Sequence, residues 1–173
     1  DPFPSKETPE KLEMLVERAA EMGVNMLRVW GGGHFESREF YDACDRYGIM
    51  TTLDFMMACG TYPEEEEWFI DELKKEAEFA VKLVRNHPCF MWYSGDNENG
   101  TNGSDFSESY KGRRAAYEAS APAVYSLDPF RQFLPSSPYG GNVYMSRTVG
   151  TMHNTTYLGD YFDYFGRAYM AVL

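Results

Sequence analysis

Three segments of helical periodicity, each followed by a short run of bulky apolar residues, fill the chain from Thr8 to Tyr93. Helix, strand, helix, strand, helix, strand is the order of a parallel sheet with crossover helices, because parallel neighbours need a long connection between them. The first segment opens at Thr8-Pro9-Glu10, with Thr as N-cap, Pro at the first helical position and an acid behind it. Leu12, Leu15, Val16, Ala19 and Met22 recur on one face, and Gly23 ends the helix. Val24–Trp30 reads as a strand, broken by Gly31-Gly32-Gly33. A second helix is expected from Ser37 to Tyr47, with Phe40, Ala43, Cys44 and Tyr47 inward and Gly48 as its stop, before a strand over Ile49–Phe55. Pro63 to Arg85 reads as a long helix with a stripe of Phe69, Leu73, Ala77, Ala80, Val81 and Val84. Glu64–Glu67 are expected as its solvated first turn, where the helix dipole favours acids, with Lys82 and Arg85 at the other end. Asn86-His87-Pro88 breaks it, and Phe90–Tyr93 is the third strand. Beyond that, Ser107–Ala121 is expected to be helical and Leu134–Pro138 a short strand end.

A chain of 173 residues with 43% hydrophobic and 16% aromatic residues can bury one core. Its net charge of −11 argues against a sequence-independent grip on nucleic acid phosphates. No apolar run is long enough to span a membrane, and no charged start leads into an apolar stretch. The opening Asp1-Pro2-Phe3-Pro4 looks like the middle of a protein. Cys44, Cys59 and Cys89 are odd in number and widely spaced, so they are expected as small buried hydrophobes rather than as disulfides or a zinc site. No metal or cofactor is expected. The Gly-rich passage at Gly31 fails as a dinucleotide fingerprint because Glu36 stands where the last Gly should be. The stretch from Asp96 to Glu108 fails as a calcium loop because Thr101 occupies the glycine position and Glu108 falls one residue late. Glycosylation sequons occur at Asn99, Asn102 and Asn154 and matter only in a glycosylating pathway. The compartment stays open.

The chemistry gathers at the strand ends. The three clearest strands finish in Arg28-Val29-Trp30, Asp54-Phe55 and Asp96-Asn97-Glu98. In a parallel sheet those ends share one rim, where α/β enzymes bind their ligands. Carboxylates with a neighbouring Asn suit holding sugar hydroxyls and exchanging protons with a glycosidic oxygen. A Trp face suits the apolar face of a pyranose, and Arg28 suits bidentate binding of a carboxylate. The plainer alternatives are that Trp30 and Trp92 are packing residues, that Arg28 and Asp54 pair structurally, and that Glu98 is a solvated turn residue.

The stretches NMLRVWGGG (Asn25–Gly33), FYDACDRYGI (Phe40–Ile49), DFMMACGTYP (Asp54–Pro63), RNHPCFMWYSGDNEN (Arg85–Asn99) and SLDPFRQFLPSSPYGG (Ser126–Gly141) resemble β-mannosidases of glycoside hydrolase family 2, in order and at matching spacing. The resemblance implies a (β/α)8 barrel and hydrolysis of terminal β-mannosides with retention. It implies Glu98 as general acid/base, Asn97 as a contact of the sugar 2-hydroxyl, Trp30 as lining the terminal-sugar subsite, Asp54 as a further residue of the site, and Arg28 as support for the nucleophile. There are departures. Thr52-Leu53 stands where the family often has Trp-Gln, and Asp96 where it usually has Asn. A later Gly-Asp-x-His segment is matched either by Gly159-Asp160-Tyr161-Phe162, with Phe162 for His, or by an alignment that uses His153.

The family's nucleophile lies in a Ser-Glu-aromatic-Gly segment, and none occurs here; Asp54, Asp96, Asp160 and Asp163 lack its context. The expectation is therefore an incomplete (β/α)8 TIM barrel over residues 1–173, about strands two to six, with the remaining domains of a full-length enzyme as its partners and a β-mannoside or related oligosaccharide as ligand. The alternatives are another family 2 activity, of galactosidase or glucosaminidase type, and a non-catalytic sugar-binding domain. The isolated chain is expected to be inactive and, with open strand edges, to self-associate.

Overall fold

The computed structural model describes residues 4–99 and 112–139. A short 3-10 turn, Pro4–Lys6, leads into helix α1, Pro9–Glu21. Then follow β1 (Met26–Val29), α2 (Arg38–Tyr47), β2 (Met50–Asp54), α3 (Glu67–Val84) and β3 (Phe90–Ser94). A π-helical stretch, Ala115–Ser120, runs on into α4 (Ala121–Leu127), and β4 (Gln132–Leu134) closes the described part. The four strands form one sheet in the order β1-β2-β3-β4, and every pairing is parallel. Sequential order with a helix between neighbours is the topology of a (β/α) barrel wall rather than of a doubly wound sheet, whose order reverses.

The Thr8 hydroxyl accepts a hydrogen bond from the Lys11 amide at 3.2 Å, and Pro9 opens α1. Leu12, Val16 and Ala19 are buried, but Leu15 and Met22 lie on the exposed side. In α2 the fully buried ring is Tyr41, beside Ala43 and Cys44, with Phe40 and Tyr47 only partly covered. In α3, Ile70, Leu73, Ala77, Ala80, Val81 and Val84 are buried.

The start of α3 differs from expectation. The helix begins at Glu67, and Pro63–Glu66 instead form a turn closed by the Glu66 amide on the Pro63 carbonyl at 3.0 Å. Glu64 does not load its own helix. Its carboxylate accepts from the amides of Gly112 and Arg114, both at 2.9 Å, and of Ala115 at 3.2 Å. It thus satisfies unpaired N–H groups at the start of the next helical segment. That segment continues to Leu127, past the expected end at Ala121.

Strand register sets the two faces of the sheet. Val29, Leu53, Tyr93 and Phe133 lie in one row and pack into the core beneath the helices. Arg28, Thr52, Trp92 and Gln132 form the preceding row, and side chains alternate across a sheet, so this row faces the other way. Asp54 and Ser94 lie two residues beyond Thr52 and Trp92, on that same face. The helix-free face is thus the polar one. Within β3, Phe90 and Tyr93 are buried, whereas Met91 is exposed and Trp92 half-buried.

Candidate active site

Arg28 projects from β1 toward the end of β2. Its Nε donates to Asp54 Oδ1 at 3.2 Å and its Nη2 to Asp54 Oδ2 at 2.5 Å, a bidentate pair in which the carboxylate side chain is 1% exposed. The same Nη2 donates to Asn97 Oδ1 at 2.8 Å, so one guanidinium ties together the ends of three strands. The pairing of Arg28 with Asp54, an open alternative in the sequence, is therefore what the fold adopts. Asp54 Oδ2 also accepts from the Gly31 amide at 3.1 Å. That approach explains the first glycine of the Gly31–Gly33 run: a Cβ there would lie 2.7 Å from the Met57 carbonyl and 2.8 Å from that of Phe55.

Asn97 and Glu98 sit just past β3, in a stretch pinned on both sides. The Asn97 amide donates to the Met57 carbonyl at 2.8 Å, and the Cys59 amide donates back to the Asn97 carbonyl at 2.9 Å. From the β4 side, the Glu98 amide donates to the Ser137 carbonyl and the Ser137 amide to the Asp96 carbonyl, both at 2.9 Å. These bonds hold Glu98 at a φ of 60° and Cys59 at 48°, left-handed conformations that a side chain disfavours. Such a conformation costs on the order of 1–3 kcal/mol, persists only where its surroundings over-determine it, and clusters at working sites.

The Glu98 side chain is half-buried. Its Oε2 accepts from the Cys59 thiol at 3.6 Å, and Cys59 Sγ accepts from Asn97 Nδ2 at 3.2 Å. Cys59 is thus exposed at the rim, not a buried hydrophobe; Cys44 and Cys89 are buried as expected. Burial first, and then the Glu98 charge, push the Cys59 thiol up from its ordinary value. A raised value suits a thiol that keeps its hydrogen and donates it to Glu98. Trp30 is 46% exposed and its ring packs directly over Gly32, just past the end of β1.

Two groups at the rim were not singled out from the sequence as site residues. Asp96 is fully buried; its Oδ1 accepts from the Ser136 hydroxyl and from the Asn99 amide at 3.2 Å, while its Oδ2 has no partner among the described residues. Burial foremost, with Asp54 and Glu64 adding to it, pushes its carboxyl up to about 7. Asn99 is also fully buried, with its Oδ1 accepting from the Gly60 amide at 3.1 Å, which places this sequon asparagine inside the fold. Asn102, Asn154, His153, Asp160, Phe162 and Asp163 lie outside the described residues.

An all-parallel sheet that gathers an arginine, two aspartates, an asparagine and a glutamate at the C-terminal ends of its strands is of the α/β class, built as a length of barrel wall with an enzyme-like rim. The chain matches no protein-family model. It is 34% identical to a β-mannosidase of Rattus norvegicus over 190 aligned residues, covering 95% of this chain and 21% of that protein. It is 35% identical to a β-mannosidase B of Emericella nidulans, over 84% of this chain and 19% of that one. The crystal structure of a β-D-mannosidase from Dictyoglomus thermophilum superposes with a TM-score of 0.79 at 39% identity, covering 90% of this chain and 20% of that chain. The chain is a β-mannosidase-like partial domain with glycoside hydrolases as its relatives, and it spans about a fifth of their length.

Proposed function

We propose that the chain is part of the catalytic barrel, about strands two to six, of a retaining exo-β-mannosidase of glycoside hydrolase family 2. The observation that supports this best is the similarity to β-mannosidases across the stretch that holds the Arg28–Asp54–Asn97 cluster and Glu98. In this reading Glu98 protonates the glycosidic oxygen as the aglycone leaves. A second carboxylate, ~5 Å away, attacks the anomeric carbon, and Glu98 then takes a proton from the water that releases mannose. The nucleophile is supplied by sequence outside these residues, since no Ser-Glu-aromatic-Gly segment occurs among them.

The rest of the rim positions the sugar. The Arg28 guanidinium turns the Asn97 carbonyl oxygen toward itself, which leaves the amide nitrogen on the other side. One N–H of that nitrogen meets Cys59 Sγ, and its second hydrogen serves as donor to a sugar hydroxyl. Trp30 offers a ring face for the pyranose, and Asp54, held by Arg28 and Gly31, fixes the wall of the terminal subsite. A panel of aryl β-glycosides on the intact protein tests the assignment. Turnover of the mannoside well above the galactoside, glucosaminide and glucuronide is expected; preference for any of the other three would overturn it.

A further inference from the structure

We propose that Asp96 is a positioning residue whose sealed place beneath the Asn97–Glu98 turn is compatible only with its neutral form, so that ionisation, by drawing water to the buried carboxylate, opens the turn and closes the site to catalysis on the alkaline side. The inference rests on the reading of Glu98 as the working acid. The geometry carries it. Asp96 is fully buried immediately before the two residues it would position. Its Oδ1 is occupied by two donors, the Ser136 hydroxyl and the Asn99 amide. Its backbone carbonyl accepts from the Ser137 amide, the neighbour of the bond that fixes Glu98.

Oδ2 is different. It has no partner among the described residues, and Gly112 closes over it so tightly that a Cβ on that glycine would lie 3.2 Å from this oxygen. An O–H left without an acceptor costs a few kcal/mol at most, whereas a net charge left without a donor costs far more, so the neutral acid is the cheaper form to bury here. A buried anion with one oxygen unsatisfied is costly, and the group responds by keeping its proton.

Among the described residues, no cation compensates. The titratable groups among the described residues that face Asp96 are Asp54 at the end of β2, Glu64 ahead of α3 and Cys59 between them in sequence. Arg28, the nearby cation of β1, gives its hydrogen bonds to Asp54 and Asn97 instead. From the helical segment and β4 the facing groups are the uncharged Gly112 and Ser136. With the folded value raised to about 7 and the unfolded one near the ordinary ~4, the contribution of neutral Asp96 is complete below about pH 4 and lost as pH rises through about 7.

The test follows the Asn97 and Glu98 backbone amides by NMR in the intact protein, selectively labelled, as pH is raised, alongside kcat/KM for an aryl β-mannoside. Both amide shifts are expected to titrate with a midpoint near 7 in the wild type and to stay flat in Asp96→Asn, whose amide cannot ionise. The alkaline limb of kcat/KM should move up by on the order of one pH unit in that variant. Ser136→Ala is the second variant: it removes a donor that favours the anion, so the midpoint should rise. Amides that do not titrate, or that titrate alike with and without the Asp96 carboxyl, overturn the proposal. So does a flat Asp96→Asn titration with an unmoved alkaline limb, which would make Asp96 structural only. Absence of mannoside hydrolysis at every pH sinks the mannosidase reading instead, and the amide titration then decides Asp96 alone.

Discussion

Arg28 gives up its freedom to three acceptor atoms on two other strand ends, and a planar fork is what such a junction needs. A lysine could reach Asp54 or Asn97 but could not hold both in a fixed relation. Arg28→Lys should therefore lower kcat/KM for a β-mannoside by about 10–100-fold, because small misplacements of positioning groups are costly. Little change in kcat/KM would show that the cluster does not set the geometry of the site. That Arg28, Asp54 and Asn97 stand at strand ends on one rim was legible, because strand ends announce themselves as apolar runs that stop in polar residues. The sequence left the Arg28–Asp54 pair open, since register is a tertiary property. Asp96 and Cys59 escaped for the same reason: nothing local says that an aspartate beside a glycine will be sealed, or that a cysteine in an apolar loop will face the rim.

At the scale of elements, two charged side chains do what hydrophobic pattern cannot. Glu64 places both carboxylate oxygens on amides at the start of the following helical segment. Glu64→Gln keeps the shape but removes the charge and one acceptor, and should cost about 1–2 kcal/mol, read by urea denaturation. A variant as stable as the wild type would return Glu64 to a solvated role. Arg131 donates to the carbonyls of Phe90, Arg85 and His87 at 2.8, 2.7 and 2.9 Å and to Asp128 at 2.9 Å, clamping the loop before β3 to the start of β4. Arg131→Ala should cost about 3 kcal/mol, since it orphans acceptors in a half-buried loop; a loss within the ordinary surface range would contradict that role. Among the described residues the order of elements was readable from periodicity, although the last strand falls at Gln132–Leu134 and not over Leu134–Pro138. The start of α3 was not readable, because a run of glutamates is compatible with a first turn and with a loop that caps a neighbour.

For the whole molecule, the sheet has β1 and β4 as its outer strands among the described residues, and Trp68, Phe79, Tyr125 and Phe130 are each at least 60% exposed. Strand edges and apolar side chains of this size favour association. The isolated 173-residue chain should sediment as concentration-dependent oligomers; a clean monomer with cooperative melting would count against this. The barrel-wall topology was legible because helix–strand alternation admits few arrangements, and the relatives that share it extend well beyond this stretch.

The most direct measurement is the hydrolysis of two β-mannosides, one with a poor alkyl leaving group and one with an activated aryl group, by the intact protein and its Glu98→Gln variant. Loss of general-acid help should slow cleavage of the alkyl mannoside by about 10²–10⁴-fold, and that of the aryl mannoside far less in the glycosylation step, with added azide restoring turnover of the latter. Equal losses on both substrates, or none on either, would contradict Glu98 as the proton donor.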